Sequence, residues 1–241
     1  MKKLLFILLA AIVMPVCALA QDSNGSIVIT RVDGGKTSIP RSNVEKITFD
    51  YIEVGGLEEI DLGLSVNWSP VNIDLSKESK VASSPEAYGS LIGWADTSGV
   101  KTSKEPNDYP SADRPKSLIG TPYDIAAYHL GDGWRMPTIA EFNELLTLEW
   151  ERTTMNDVPG ILFKGKNGNT LFLPYCGYRW GEEDKKFQVG KYGYYWSAEL
   201  NPTVNTFASE LNIGPDICRV ANMNVVYGCS LRPVKDKVKD E

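Results

Sequence analysis

The stretch from Gly131 to Leu146 constrains this chain more than any other. Gly131 and Gly133 flank Asp132, a turn composition that admits positive φ. Trp134, Arg135 and Met136 then cross a short extended span, and Pro137 fixes the entry into the next element. Thr138 offers a hydroxyl to the first turn of a helix, and Glu141, three residues on, completes a capping box. Ile139, Phe142, Leu145 and Leu146 recur at helical spacing. The pattern predicts a helix over 139–148 that anchors a core through Ile139, Phe142 and Leu146.

A second helix start precedes it. Thr121 as cap, Pro122 at the first helical position and Asp124 at the third predict a helix that ends at Gly131. Elsewhere the period is two. Ile60, Leu62, Leu64, Val66 and Trp68 alternate as in one half-buried strand. Residues 161–163 and 170–173 flank a Gly- and Asn-bearing tip and read as a hairpin. Further strands are expected over 192–200, 207–213, 217–221 and 227–234. Residues 74–121, rich in Ser, Pro, Lys and Asp, predict long surface loops pinned by Tyr88, Leu91, Ile92 and Trp94. Two adjacent helices followed by closely spaced strands predict an α+β fold with antiparallel sheets rather than a βαβ array.

Residues 1–20 have the pattern of a secretory signal. Lys2 and Lys3 precede an apolar run over 4–13 that is too short to span a bilayer, and Ala18-Leu19-Ala20 offers a cleavage site before Gln21. A lipoprotein signal ending at Cys17 is the alternative, but Met14-Pro15-Val16 lacks the small residue such a site wants. The expectation is an exported protein, periplasmic, cell-surface or secreted, with no transmembrane segment after cleavage. Residues 21–56 read as a small β appendage: strands over 26–31 and 36–39 around Asp33-Gly34-Gly35, another over 44–51, and Gly55-Gly56 as the joint. The main domain is expected over 57–235 and a frayed charged tail over 236–241. Loss of Lys2 and Lys3 takes the formal charge from -6 to -8. So acidic a chain repels phosphate backbones, which argues against nucleic acid as a partner.

Several blocks carry a family resemblance. Asp61-Leu62-Gly63-Leu64-Ser65-Val66-Asn67-Trp68 and Gly133-Trp134-Arg135-Met136-Pro137-Thr138, with Glu141-Phe142, resemble the Fibrobacter succinogenes major paralogous domain family of exported Bacteroidota proteins. Gly168-Asn169, Phe172-Leu173-Pro174 and Gly177-Tyr178-Arg179 are similar to its middle. Gly193-Tyr194-Tyr195-Trp196-Ser197, Tyr227-Gly228 and Leu231-Arg232-Pro233-Val234 are similar to its end. The likeness spans roughly 57–235. It implies a C-type-lectin-like fold, two helices packed on twisted antiparallel sheets with a loop-rich ligand face.

No catalytic constellation emerges. Glu105-Pro106-Asn107 matches a calcium- and sugar-ligating tripeptide of C-type lectins, but it precedes both helices and lacks the following Trp-Asn-Asp strand. Arg135-Met136-Pro137-Thr138 with Glu141 also resembles the formylglycine-generating enzymes. Their copper chemistry needs two closely spaced thiols, and Cys218 and Cys229 do not fit. His129 is the only histidine and has no zinc-ligand partners at suitable spacing; it is expected to cap its own helix. Glu182-Glu183-Asp184 reads as a solvated loop. If the last hairpin turns about Met223-Asn224, Cys218 and Cys229 are opposed and within reach of a disulfide, leaving Cys176 free; a one-residue bulge would break that register.

The sequence therefore predicts a non-enzymatic binding domain with no cofactor and no metal, recognising a glycan or protein ligand. A structural or adhesive component of a surface assembly is the alternative. The ligand face is expected on 179–191, 200–206 and 221–226, through Arg179, Trp180, Glu182, Asn201, Asn205, Asn222 and Asn224. These offer paired donors and acceptors around one aromatic anchor.

Overall fold

The computed structural model describes residues 19–21, 26–30, 36–40, 57–99, 114–131, 133–180 and 185–237. The chain divides into two units, Met1–Gly56 and Leu57–Glu241. In the first, β1 (Leu19–Gln21), β2 (Ser26–Thr30) and β3 (Lys36–Pro40) form an antiparallel sheet in that order. β2 and β3 lie where the sequence places the appendage's hairpin. β1 straddles the expected cleavage point, with Ala20 opposite Val28. Residues 1–18 and the strand expected over 44–51 lie outside the described residues.

The elements of the second unit run in the order β4 (Ile60–Asp61), β5 (Val66–Trp68), β6 (Ile92–Gly93), α1 (Ile125–Leu130), β7 (Trp134–Arg135) and α2 (Ile139–Leu146). Then come β8 (Glu149–Met155), β9 (Val158–Lys164), β10 (Thr170–Pro174), β11 (Tyr178–Trp180), β12 (Lys185–Phe187), β13 (Gly193–Leu200) and β14 (Phe207–Ile213). β15 (Cys218–Asn224), β16 (Gly228–Cys229) and β17 (Val234–Asp236) close the chain. They make four antiparallel sheets, ordered β4-β5-β17-β7, β10-β9-β8, β12-β11-β16-β6 and β13-β14-β15. The α+β class holds, with strand dominant and two short helices.

The capping box forms as its residues demand. The Thr138 hydroxyl accepts the Glu141 N–H at 3.2 Å, and the Glu141 carboxylate accepts the Thr138 N–H at 2.8 Å. α2 is shorter than expected because the Thr147 and Leu148 N–H groups tighten onto the carbonyls of Glu144 and Leu145. With only two turns, its buried face narrows to Phe142 and Leu145, while Ile139 and Leu146 are half-buried. α1 starts at Ile125, and its cap is Asp124 rather than Thr121. The buried Asp124 carboxylate accepts N–H groups from Ala127 at 3.0 Å and from Met136 at 3.1 Å, tying the helix start to the chain leading into α2.

Two strand expectations and that of a frayed tail are corrected. The alternation over 60–68 is not one strand: Gly63 adopts φ 76° and reverses the chain, so that Ile60 pairs Trp68. The expected strand over 227–234 divides between two sheets, β16 pairing β6 and β17 lying between β5 and β7. The charged tail begins inside a sheet: Asp236 meets Arg135 at 2.5 Å, Lys235 meets Glu59 at 2.8 Å and Lys237 meets Asp61 at 2.7 Å. Within the stretch expected as loops, Leu91 to Ala95 are buried, and residues 100–113 lie outside the described part.

β13 explains how the core is arranged. Tyr195 points to one apolar cluster, with Trp68, Phe142, Phe163 and Leu211. Tyr194, Trp196 and Ala198 point to another, with Ile92, Trp94, Ile125 and Leu231. Successive strand residues face opposite ways, so the sheet β13-β14-β15 carries apolar material on both faces. α2 lies against this sheet and α1 against β7.

Candidate functional site

β11 is three residues long, and its alternation sorts them by role. Tyr178 and Trp180 project from one face, Arg179 from the other. Arg179 is buried, and a Cβ on its partner Gly228 would sit 2.7 Å from its Nε, so only glycine leaves room for it there. This corrects the expectation that Arg179 belongs to an exposed ligand face.

Tyr178 and Trp180 join rings from other segments. Tyr178 stacks on Phe187 of β12 at 5.4 Å and meets Tyr194 and Tyr227 edge-on at 5.4 Å each. Trp180 lies 6.3 Å from Phe187 and stacks near Tyr227 at 6.0 Å and 28°. The rings are graded in depth: Tyr194 is buried, Tyr178, Phe187 and Tyr227 are half-buried, and Trp180 is 49% exposed. The result is an aromatic platform with Trp180 at its exposed edge. Tyr227 is set by a turn in which the Asn224 carbonyl accepts the Tyr227 N–H at 3.0 Å and the Asn224 side chain accepts the Val226 N–H at 3.2 Å. The Val225 N–H reaches the Thr206 carbonyl at 3.0 Å. Segments 200–206 and 221–226 therefore adjoin, and the turn after β15 brings Tyr227 to Trp180.

The amides expected to bind ligand are mostly engaged locally. Asn201 accepts from the Thr203 and Val204 N–H groups at 2.9 Å each, an Asx turn. Asn222 is exposed and accepts the Ser209 hydroxyl at 3.1 Å. Asn205 is exposed, and its backbone carbonyl accepts from Arg114 at 2.8 Å. Glu182 lies outside the described residues. Trp180 is the expected site residue that the structure places on an exposed surface beside other functional-type groups.

Below the platform lies a group absent from the expected site. Glu210, at the middle of β14, is 1% exposed. It sits between Trp196 of β13 and Ala221 of β15. Its Oε1 is 3.5 Å from the Asn212 amide, and its Oε2 has no hydrogen-bond partner among the described residues. Burial pushes its carboxyl up to about 8, against which Asn212 pulls only weakly. The same carboxyl adds to the rise that burial causes in the Tyr194 hydroxyl and the Cys229 thiol.

Cys218 lies on β15 opposite Ile213, and Cys229 lies on β16 opposite Ile92 in another sheet, so the expected disulfide does not form. The hairpin about Met223-Asn224 that would oppose them is absent because β15 continues straight through to Asn224. All three described cysteines are free thiols. Burial raises all three, Cys218 to about 11, which makes them poor nucleophiles. Fully buried Arg232 is held by the Asn72 side chain at 2.8 Å and the Pro70 carbonyl at 2.9 Å, with burial lowering it to about 10. It ties the two ends of the domain together. His129 does not cap α1; its Nε2 bonds the Thr97 carbonyl at 2.7 Å, and burial lowers its pKa. Among the described residues no three His, Cys, Asp or Glu side chains are grouped to hold a metal ion. The tripeptide Glu105-Pro106-Asn107 lies outside them. No described helix is long and apolar enough to cross a membrane.

Comparison with protein-family models, curated proteins and solved structures returns no match. Tyr227 and Phe187 are not legible as site residues in the sequence, because contacts between sheets leave no local pattern. Glu210 is not legible either, because Ala208, Glu210 and Asn212 alternate with Phe207, Ser209, Leu211 and Ile213, which reads as the solvent face of a half-buried strand.

Proposed function

We propose that this chain is an exported, non-enzymatic binding domain of C-type-lectin-like fold, related to the major paralogous domain family it resembles, and that it holds a glycan on the Trp180–Tyr227 platform. The observation that carries the reading is the exposure of Trp180. A large aromatic left about half in water on a short strand, with a second ring nearly parallel beside it, is the form of surface on which a sugar's C–H face stacks. Two adjacent rings offer a wider apolar surface than a single exposed side chain, as a recognition surface requires. Tyr128 is also exposed, at 62%, but it stands on α1 with only His129 edge-on to it and builds no platform.

The non-enzymatic reading has its own support. The described thiols are raised rather than activated, and the one histidine is tied to a backbone carbonyl. A glycan array probed with the purified chain, with and without calcium, tests the proposal. Binding to a set of related sugars is the expected result. No binding under either condition, together with self-association or capture by a surface protein, favours the assembly reading instead.

A further inference from the structure

Glu210 stands out among the buried polar groups of the described residues. It is a carboxyl at the centre of a three-stranded sheet whose two faces are both covered, and one of its oxygens has no hydrogen-bond partner among the described residues. An ionised carboxylate in such a place demands water or a cation. The groups that face it come from several elements. Tyr194 and Trp196 approach from β13, Asn212 from its own strand, and Cys229 from β16. Arg219 of β15 pairs with Asn212 one step further along the same face and is exposed. Arg179 of β11 bears on Cys229. Tyr178 and Tyr192 bear on Tyr194.

Of the immediate neighbours on this face, Trp196 and Ala208 are wholly buried, whereas Asn212 is half-buried and Tyr194 is 8% exposed. Tyr194, Asn212 and the half-buried Ala221 opposite are therefore the neighbours of the carboxyl that lie nearest to solvent. Tyr194 also supports the platform: its ring meets Tyr178 at 5.4 Å, and its hydroxyl donates to the Gln188 side chain in the turn after β12.

We propose that Glu210 is a protonation switch beneath the aromatic platform. As the neutral acid it lets Tyr194 pack over it and hold Tyr178 and the 187–190 turn in place. On losing its proton to solvent it draws water in past Tyr194 and loosens the rings above. The switch rests on the placement of these rings and holds whatever the platform binds.

The test is an NMR pH titration of the full chain carrying carboxyl-labelled glutamate and ring-labelled tyrosine, with Glu210→Gln to assign the Glu210 signal. The Glu210 carbon is expected to titrate near pH 8, and ring signals of Tyr178 and Tyr194 are expected to move with the same midpoint. Their own ionisation is raised and comes later. Both movements vanish in Glu210→Gln. If that variant fails to fold, the Glu210 carboxyl carbon is assigned in the unsubstituted chain through its own backbone amide, and the co-titration there decides. A Glu210 carbon that titrates in the ordinary carboxylate range overturns the proposal. So do tyrosine signals that stay still while it titrates, or ring movements that persist in the variant.

Discussion

Replacing Glu210 with Gln is expected to make the domain more stable at neutral pH and to remove a pH dependence. The glutamine keeps the shape and the Asn212 contact but cannot ionise. In the folded chain the Glu210 carboxyl is pushed up to about 8 by burial, against an ordinary value of 4.5. Between those two values the unfolded chain has released the proton while the folded chain still binds it. The unfolded state is favoured progressively, so stability contributed by the neutral carboxyl is full below about pH 4.5 and is lost as pH rises through about 8. One pKa unit corresponds to about 1.4 kcal/mol. The whole window is worth roughly 5 kcal/mol, and about 3 kcal/mol of it has gone by pH 7. Against a typical total of about 5–15 kcal/mol this is a large fraction. For a domain of this size it corresponds to roughly 6–12 °C in melting temperature. Paired urea melts of the two chains at pH 4.5 and pH 7 measure it. The gap between variant and parent should widen by about 3 kcal/mol from the lower pH to the higher. A gap that is the same at both pH values refutes the reasoning, because Glu210 would then ionise alike in both states.

Phe142→Ala removes a fully buried ring that lies 5.8 Å from Trp68, and a loss of about 3–5 kcal/mol by denaturant melt is expected. Asp124→Ala leaves the N–H groups of Ala127 and Met136 without their acceptor inside the protein; about 2 kcal/mol or more should be lost in the same assay. Mass spectrometry of a non-reduced digest should show no Cys218–Cys229 link, and in the native protein alkylation should reach half-buried Cys218 before buried Cys176 and Cys229.

Where chemistry is local, the fold is legible in the sequence. Thr138 and Glu141 announce a capping box, and the structure forms it. The alternation over 207–213 matches β14 to the residue. Legibility fails where a single backbone conformation or a distant partner decides. Gly63 turns one expected strand into two. Asn156 and Asp157, with φ of 49° and 65°, make a two-residue turn that joins β8 to β9, and β8 carries no clear signal because most of its side chains face water. Cys218 and Cys229 follow different sheets, a choice made by pairing partners more than a hundred residues upstream for β16. In the site, Trp180 is legible as an aromatic in a polar loop. Arg179 is not legible as buried, since its burial depends on the space above Gly228. Asn201 and Asn224 are turn-forming amides, and composition alone does not separate those from ligand-binding ones.

The most direct measurement compares Trp180→Ala, Asn143→Ala and the parent chain against whichever glycan the array returns, with a thermal melt of each. Trp180 is half-exposed on the platform, and Asn143 is exposed on the outer face of α2. Trp180→Ala should bind at least roughly tenfold more weakly, the loss of an anchoring aromatic, with its melting temperature nearly unchanged, while Asn143→Ala binds as the parent does. Unaltered binding by Trp180→Ala, or loss of binding in Asn143→Ala, would contradict the placement of the ligand on the aromatic platform.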